Sequence, residues 1–270
     1  PRAGQITDDH PDAGAMTDPD AQRATIQQLF TTAINSRQHE ITSGIYEAAR
    51  GVVQGGPFRG MRLLRKSSWG AGEISPKLLG CYEAELHPHM AEVIATSFPL
   101  VINVGCAEGY YAVGLARRMP ACRVIAYDVS EAAQDVCREA AAANGVAGRL
   151  EVRGLCTPQT LVEDLAGNES AFLLVDCEGG ELGLLDPALA PGLARCNILV
   201  ECHDFLNRMI TPTLLSRFAA THTVERIDEG ARNPNHPMLH RTPSLDRWLA
   251  VCEFRPERMH WLMFRAKQQN

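Results

Sequence analysis

Five short, nearly continuous apolar runs separated by stretches of helical period constrain this chain more than any other feature. They are LVINVG at 100–105, RVIAYD at 123–128, LEVRG at 150–154, AFLLVD at 171–176 and NILVEC at 197–202. A strand apolar on both faces must be covered on both faces, and parallel strands need crossovers of a dozen or more residues. Tyr111 to Arg118 and the alanine-rich Glu131 to Ala143 read as such crossover helices. The pattern therefore predicts an α/β fold, a mostly parallel sheet with helices on both faces. Further strands are expected at 222–228, 248–254 and 260–266, the last two as a terminal hairpin across Arg255 to Met259.

The rest of the chain is organised around that sheet. Residues 1–20 lack periodic apolar positions and read as a flexible leader. Residues 21–80 read as an N-terminal helical cap or lid. Ile26, Leu29, Phe30, Ala33 and Ile34, then Ile41, Ile45 and Ala48, predict two amphipathic helices there, followed by a basic, aromatic segment with Arg59, Arg62, Arg65, Lys66 and Trp69. A further helical period covers Tyr82 to Thr96, and residues 81–270 are expected to form the main domain. At 45% apolar residues, 270 residues can bury a large core. Twenty-six basic against 32 acidic residues give a net charge of -6, with no long basic tract, so no nucleic-acid partner is expected. No apolar run is long enough to span a bilayer and none follows a basic terminus, so neither membrane association nor a signal peptide is expected. Nine cysteines without C-x-x-C spacing suit a reducing compartment, which predicts a cytoplasmic protein.

Chemistry concentrates at the ends of the apolar runs. Asn103-Val104-Gly105-Cys106-Ala107-Glu108-Gly109-Tyr110 is a strand that ends in a glycine turn and opens a helix with unpaired amide donors. A dinucleotide loop requires G-x-G-x-x-G, whereas this one has G-x-x-x-G and the acid Glu108. A carboxylate disfavours a pyrophosphate and suits a cationic ligand, so the loop fits S-adenosyl-L-methionine better than NAD. Asp128, one strand-helix-strand unit later and followed by Val129, can accept the two hydroxyl hydrogen bonds of a ribose; its alternative is to cap the next helix. Asn144-Gly145 is read as the end of that helix. Asp176-Cys177-Glu178-Gly179-Gly180-Glu181 then ends the fourth run, and Glu201-Cys202-His203-Asp204 the fifth. These ends would set Asp176, Glu178, Glu201, His203 and Asp204 along one rim, able to orient a hydroxyl, remove its proton or hold a divalent ion such as Mg²⁺. His203 is the preferred base, because imidazole titrates near neutral pH.

Together these motifs resemble the S-adenosylmethionine-dependent methyltransferases of the FkbM type, over about residues 80 to 265. The D-x-E-G-x-E run is the more family-specific part. The resemblance implies a seven-stranded Rossmann-like class I methyltransferase fold and transfer of a methyl group to hydroxyls of small molecules such as sugars and natural products. It implies that Asn103, Gly105, Cys106, Glu108, Gly109 and Tyr110 border the methionine part of the cofactor, Asp128 and Val129 the ribose side, and Asp176 with Glu178 the boundary with the acceptor. The chain departs from the family pattern at Asn103 and Ala107, where Asp and Asn are usual, and at Asp128-Val129, where Glu-Pro is usual. Cofactor contacts are expected to be rearranged accordingly. His203, Asp176 and Glu178 are the expected catalytic groups. Glu201, Asp204 and the 228–243 segment, with Arg232, His236 and His240, are expected to meet a small-molecule acceptor, the basic groups suiting a carboxylate or phosphate. A homodimer is a further expectation. The alternatives are methylation of an amine nitrogen and a non-catalytic cofactor-binding domain.

Overall fold

The computed structural model describes residues 19–66, 74–168 and 170–267. Each of the five apolar runs forms a strand one residue shorter than the run, because the last residue turns out of the sheet. The strands are β1 (Leu100–Val104), β2 (Arg123–Tyr127), β3 (Leu150–Arg153), β4 (Ala171–Val175), β5 (Asn197–Glu201), β6 (His222–Asp228) and β7 (His260–Ala266). The helices are α1 (Pro19–Ala49), α2 (Ile74–Leu79), α3 (His87–Thr96), α4 (Tyr110–Arg118), α5 (Glu131–Ala143), α6 (Pro158–Leu165), α7 (Glu181–Leu184), α8 (Ile210–Phe218) and α9 (Ser244–Val251).

The seven strands form one sheet in the order β3-β2-β1-β4-β5-β7-β6. Neighbours from β3 to β5 are parallel; β7 runs antiparallel to both β5 and β6. Side chains alternate across the strands and both faces are dry. Val101, Val124, Phe172 and Leu199 enter one core; Ile102, Ile125, Leu173 and Ile198 enter the other. This is the Rossmann-like doubly wound arrangement expected from the sequence.

Three local expectations fail, each for a physical reason. Residues 21–53 were expected to hold two helices, but α1 is continuous. Asn35 to Glu40 contains no Gly or Pro to break it, and Arg37 bridges Glu40 at 2.6 Å one turn on. Only the C-terminal half of α1 is seated, through Gln38, Thr42, Ile45 and Ala49; Ile26, Leu29 and Phe30 are exposed. Residues 248–254 were expected to be a strand, but α9 covers most of them. Asp246, Leu249 and Ala250 are buried while Leu245 and Trp248 face out, the three-and-four spacing of a helix rather than alternation. The terminal hairpin is therefore absent: β7 instead inserts between β5 and β6. Most of the leader, with Trp69, lies outside the described residues, and α1 already begins at Pro19.

Arg37 also fastens α1 to α9, its Nε and Nη2 donating to both oxygens of Asp246 at 3.0 and 2.6 Å. The hydrogen bond to Arg37 holds the Asp246 carboxyl below its ordinary value. A depressed aspartate stabilises the folded state above its unfolded pKa, about 4, and the contribution is lost as pH falls through the folded value. Asp246→Asn at pH 7 should speed amide exchange along residues 34–46 of α1, and wild type should show the same increase only below about pH 4. Unchanged exchange in the variant would contradict this tether.

Candidate active site

The chain leaves β1 toward β2 and β3, then returns to the other side of β1 as β4. Ligands of open α/β sheets bind at such a reversal, beyond the carboxyl ends of the strands. Gly105 follows β1 there with φ +76°, and a Cβ on it would lie 1.6 Å from the backbone oxygen of Asp176. Its smallness thus serves contact between the β1 and β4 turns. The next turn is pinned by Gly105 and Cys106 N–H groups, which both donate to Tyr127 O at 2.9 Å. Gly109, at φ +88°, packs against Cys137 of α5 and borders none of the cavities described below. Its smallness serves packing against α5.

Asp128 joins the first two turns. Its Oδ2 accepts from Ala107 N–H at 2.8 Å and its Oδ1 from Ser130 N–H at 2.9 Å. The helix cap is Ser130, whose hydroxyl accepts from Ala133 N–H, so Asp128 does not take that role. A carboxylate has about four acceptor positions, so two bonds leave it capacity toward a ligand. The left-handed conformation of Ala107, φ +47°, is needed to aim its amide at Asp128.

Three cavities meet at this edge. The first, about 370 Å³, is bordered by Asp128, Val129, Leu155 and Cys156 beyond β2 and β3. The second, about 110 Å³, is bordered by Lys77, Asn103, Cys106, Glu108 and Tyr110. The third, about 200 Å³, is bordered by Tyr82, Glu201, His203, Phe205, Phe254 and Arg255. Asp176 and Glu178 border all three, and Gly105 and Asp128 border the first two. The cleft is thus a continuous trough with Asp176 and Glu178 at its centre.

The second cavity fits the amino-acid end of S-adenosylmethionine. Asn103 Oδ1 and Tyr110 OH are buried with no hydrogen-bond partner among the described residues, one an acceptor and the other a donor, as an ammonium and a carboxylate would require. Burial pushes the Tyr110 hydroxyl above its usual range, so it remains protonated and able to donate. Glu108, expected to face the cationic ligand directly, is paired with Lys77 Nζ at 2.5 Å, both side chains nearly buried. The charge it offers is therefore largely balanced within the protein.

The third cavity is organised around His203, which is 3% exposed. Its Nδ1 lies 2.6 Å from Glu181 Oε1, and Glu181 is fully buried. Its Nε2 faces Glu178 Oε2 at 3.4 Å and Asp176 Oδ1 at 3.5 Å. Burial works against a charged ring, but the hydrogen bond to Glu181 and the charges of Glu201, Glu181 and Glu178 outweigh it and raise the His203 pKa. Burial, then the charges of Glu201, Glu83 and Glu178, hold the Asp176 carboxyl well above its ordinary value. The left-handed turn at Glu178 (φ +50°) and Gly179 (φ +97°) carries the chain from Asp176 at the trough to Glu181 behind the histidine.

Other expected acceptor residues are occupied elsewhere. Glu201 borders the third cavity but binds Arg255. Asp204 accepts from Thr211 N–H at 3.1 Å at the start of α8 and borders no described cavity. Arg232 is buried between Glu253 and Glu85, at 2.6 and 2.7 Å. His236 Nδ1 accepts from Met238 N–H, and His240 Nδ1 bonds Pro237 O. Arg232 is therefore held by the protein's own acids, the two histidines bond backbone atoms of their own segment, and none of the three borders a described cavity. The basic segment does likewise: Arg65 pairs with Glu47 and Lys66 with Glu139. Glu181 and Arg255 were missed. The spacing of Glu181 from Asp176 was visible, but its partner His203 comes from another strand, while Arg255 was hidden in the expected hairpin turn.

Residues 101–199 match the family model described as a methyltransferase domain. No curated protein matches the chain. Among solved structures, the chain is similar to cofactor-bound Rv0187 from MTB, at 18% identity over 66% of this chain and 78% of that one, with a TM-score of 0.45. It is similar to the O-methyltransferase TomG from Streptomyces achromogenes, involved in tomaymycin synthesis and solved with SAM (15% identity, 70% and 83% covered, TM-score 0.43). It is also similar to the O-methyltransferase from Bacillus cereus in complex with SAH (13% identity, 85% and 91% covered, TM-score 0.41).

Proposed function

We propose that this chain is an S-adenosylmethionine-dependent methyltransferase of the FkbM type and that its acceptor is a hydroxyl of a small molecule, such as a sugar or natural product; the methyltransferase-domain match over residues 101–199 and the strand order support this reading. The observation that carries this reading is the convergence of Asp176, Glu178 and Glu181, the acids of one D-x-E-G-x-E run, on the two ring nitrogens of His203. A hydroxyl is a poor nucleophile until its proton is drawn away, and this side of the trough is built from proton-accepting groups.

When bound, S-adenosylmethionine supplies a methyl group that is already electrophilic. The protein has to hold it, align the acceptor and manage one proton. Asp128 holds the ribose, Asn103 and Tyr110 the amino-acid end, and Val129 and Leu155 border the adenine side. The acceptor hydroxyl lies against Asp176, Glu178 and His203, the groups that act on its proton. Glu201 is on the same wall, held by Arg255. Arg232, His236 and His240 have no part in the acceptor site, so the acceptor need not carry a carboxylate or phosphate. A cytoplasmic setting accords with nine cysteines that are all free thiols. Among the described residues no helix is long and apolar enough to cross a membrane.

Calorimetry with S-adenosylhomocysteine should show saturable binding that weakens roughly 10- to 100-fold in Asp128→Ala, the loss expected for hydrogen bonds to a charged group. Equal affinity in the folded variant would remove Asp128 from the ribose site. A hydroxylated acceptor panel with methyl-labelled cofactor should give products whose new methyl is on oxygen by NMR; methylation only at nitrogen would reject the acceptor assignment.

A further inference from the structure

We infer that Asp176, Glu178 and His203 form a binding site for one first-row divalent transition-metal ion, with Glu181 as the support that orients the histidine. The inference rests on the reading of this wall as the acceptor side of the cleft and adds how it handles the hydroxyl.

Three observations on different atoms carry it. First, His203 is almost completely buried, yet among the described residues its Nε2 makes no hydrogen bond: its contacts with Glu178 Oε2 and Asp176 Oδ1, at 3.4 and 3.5 Å, exceed the usual N–H···O range. Two ligand atoms about 2.1–2.2 Å from one ion, at angles between octahedral and tetrahedral, lie about 3.0–3.6 Å apart, which matches both distances. One donor atom from each of the three side chains lies within 4.8 Å of the other two. Second, Nδ1 is engaged by Glu181 Oε1 at 2.6 Å, and Gly179 N–H also donates to that oxygen at 3.1 Å. This carboxylate–histidine arrangement fixes the tautomer that leaves Nε2 free to ligate, and it is the usual support behind a metal-bound imidazole. Third, the surrounding wall is short of positive charge. Asp176, Glu178, Glu201 and Glu253 border the third cavity with Arg255, whose guanidinium is shared among Glu83, Glu201 and Glu253.

One imidazole and two carboxylates suit Zn²⁺, Mn²⁺ or Co²⁺ better than the all-oxygen preference of Mg²⁺ or Ca²⁺. An ion there would act as a Lewis acid on the acceptor hydroxyl. The O–H bond breaks and, because Asp176, Glu178 and His203 then act on the proton only through the ion they hold, the proton passes to solvent. The oxygen lone pair forms the new O–CH₃ bond, and the C–S bond breaks with its electron pair remaining on sulfur. No oxidant or reductant is needed. Glu181 is a positioning residue, since it reaches the ion only through His203.

The test uses the full chain stripped with a chelator and titrated with Co²⁺ alone, read by the visible d–d bands, and then with Mn²⁺ by calorimetry. One ion per chain is expected. His203→Gln should weaken binding at least 100-fold, and Glu181→Gln about 10- to 100-fold, while neither changes S-adenosylhomocysteine affinity more than about threefold. Glu178→Gln, at a half-exposed position, provides a second ligand variant if the buried ones fail to fold, and should weaken Co²⁺ at least tenfold. Wild-type protein that binds S-adenosylhomocysteine but takes up neither Co²⁺ nor Mn²⁺ below millimolar concentration would overturn the site, as would variants that bind the ions as tightly as wild type. Uptake through His203 with methylation only at nitrogen supports the site and rejects the hydroxyl reading. Hydroxyl methylation at an unchanged rate in the chelated, ion-free protein does the reverse.

Discussion

Gly105→Ala is expected to lose at least about 3 kcal/mol of folding stability and to abolish measurable S-adenosylhomocysteine binding. Two costs combine. An alanine held at φ +76° contributes about 1 kcal/mol, and its methyl would enter the space of the Asp176 carbonyl, 1.6 Å away. Backbone cannot rotate aside as a flexible side chain can, so the β1 and β4 turns must separate. That separation moves Gly105 and Asp176, which border both the first and second cavities. Gly145→Ala is the control, since Gly145 has φ +69° but nothing within 4 Å of the added methyl. It should cost only about 1 kcal/mol and leave cofactor binding intact. Urea unfolding and calorimetry on both variants decide the matter. Equal costs would mean that the close approach of the two turns is not what Gly105 protects.

Arg255→Met is expected to cost about 3–5 kcal/mol, because it leaves the buried Glu83 and Glu201 without their cation, while Glu253 keeps Arg232. Arg255 binds Glu201 through Nη1, Glu83 through Nη2 at 2.6 Å and Glu253 through Nε at 3.2 Å, with its guanidinium over the Trp261 ring at 4.8 Å. Glu83 also accepts from Tyr111 OH. Burial, and then repulsion by Glu201 and Glu253, already raise the Glu83 carboxyl against the pull of Arg255. Removing the arginine can only raise it further. A carboxyl whose folded pKa exceeds its unfolded value, about 4.3, binds more protons when folded, so the variant should regain stability as pH falls through the folded value toward 5. Arg255→Lys keeps the charge but not the fork that reaches three acids, and should fall between wild type and Met. A Met variant as stable as wild type at pH 7.5, with no pH dependence beyond the wild type's, would show that the network contributes nothing. The effect reaches the site as well, since Glu201 and Arg255 form one wall of the third cavity.

Most of the sheet was legible because parallel strands buried on both faces leave little choice of residue. The five apolar runs and β6 formed strands within one residue of their expected ends, and α5 formed over the expected Glu131–Ala143. Legibility declined where local pattern was ambiguous. Trp248 to Phe254 is apolar enough for a strand, yet burial of Asp246, Leu249 and Ala250 on one side selects a helix. The site was legible in part for the same reason. Asp128, Asp176, Glu178 and His203 follow strand ends, and every parallel strand delivers its end to the same edge. Arg232, His236 and His240 sit in an irregular segment, where charge alone says nothing about which way a side chain turns.

The sequence by itself determined the alternation of strands and helices, the edge at which chemistry gathers and the acids available there, because these follow from burial pattern and chain direction. Only the tertiary structure decided that Glu181 lies behind His203, that Lys77 balances Glu108 and that Arg255 links Glu83, Glu201 and Glu253. Each of those pairings joins residues 22 or more positions apart, except Arg255 with Glu253, two positions away. Their energies depend on distance and burial in the folded chain, quantities that no local pattern of residues carries.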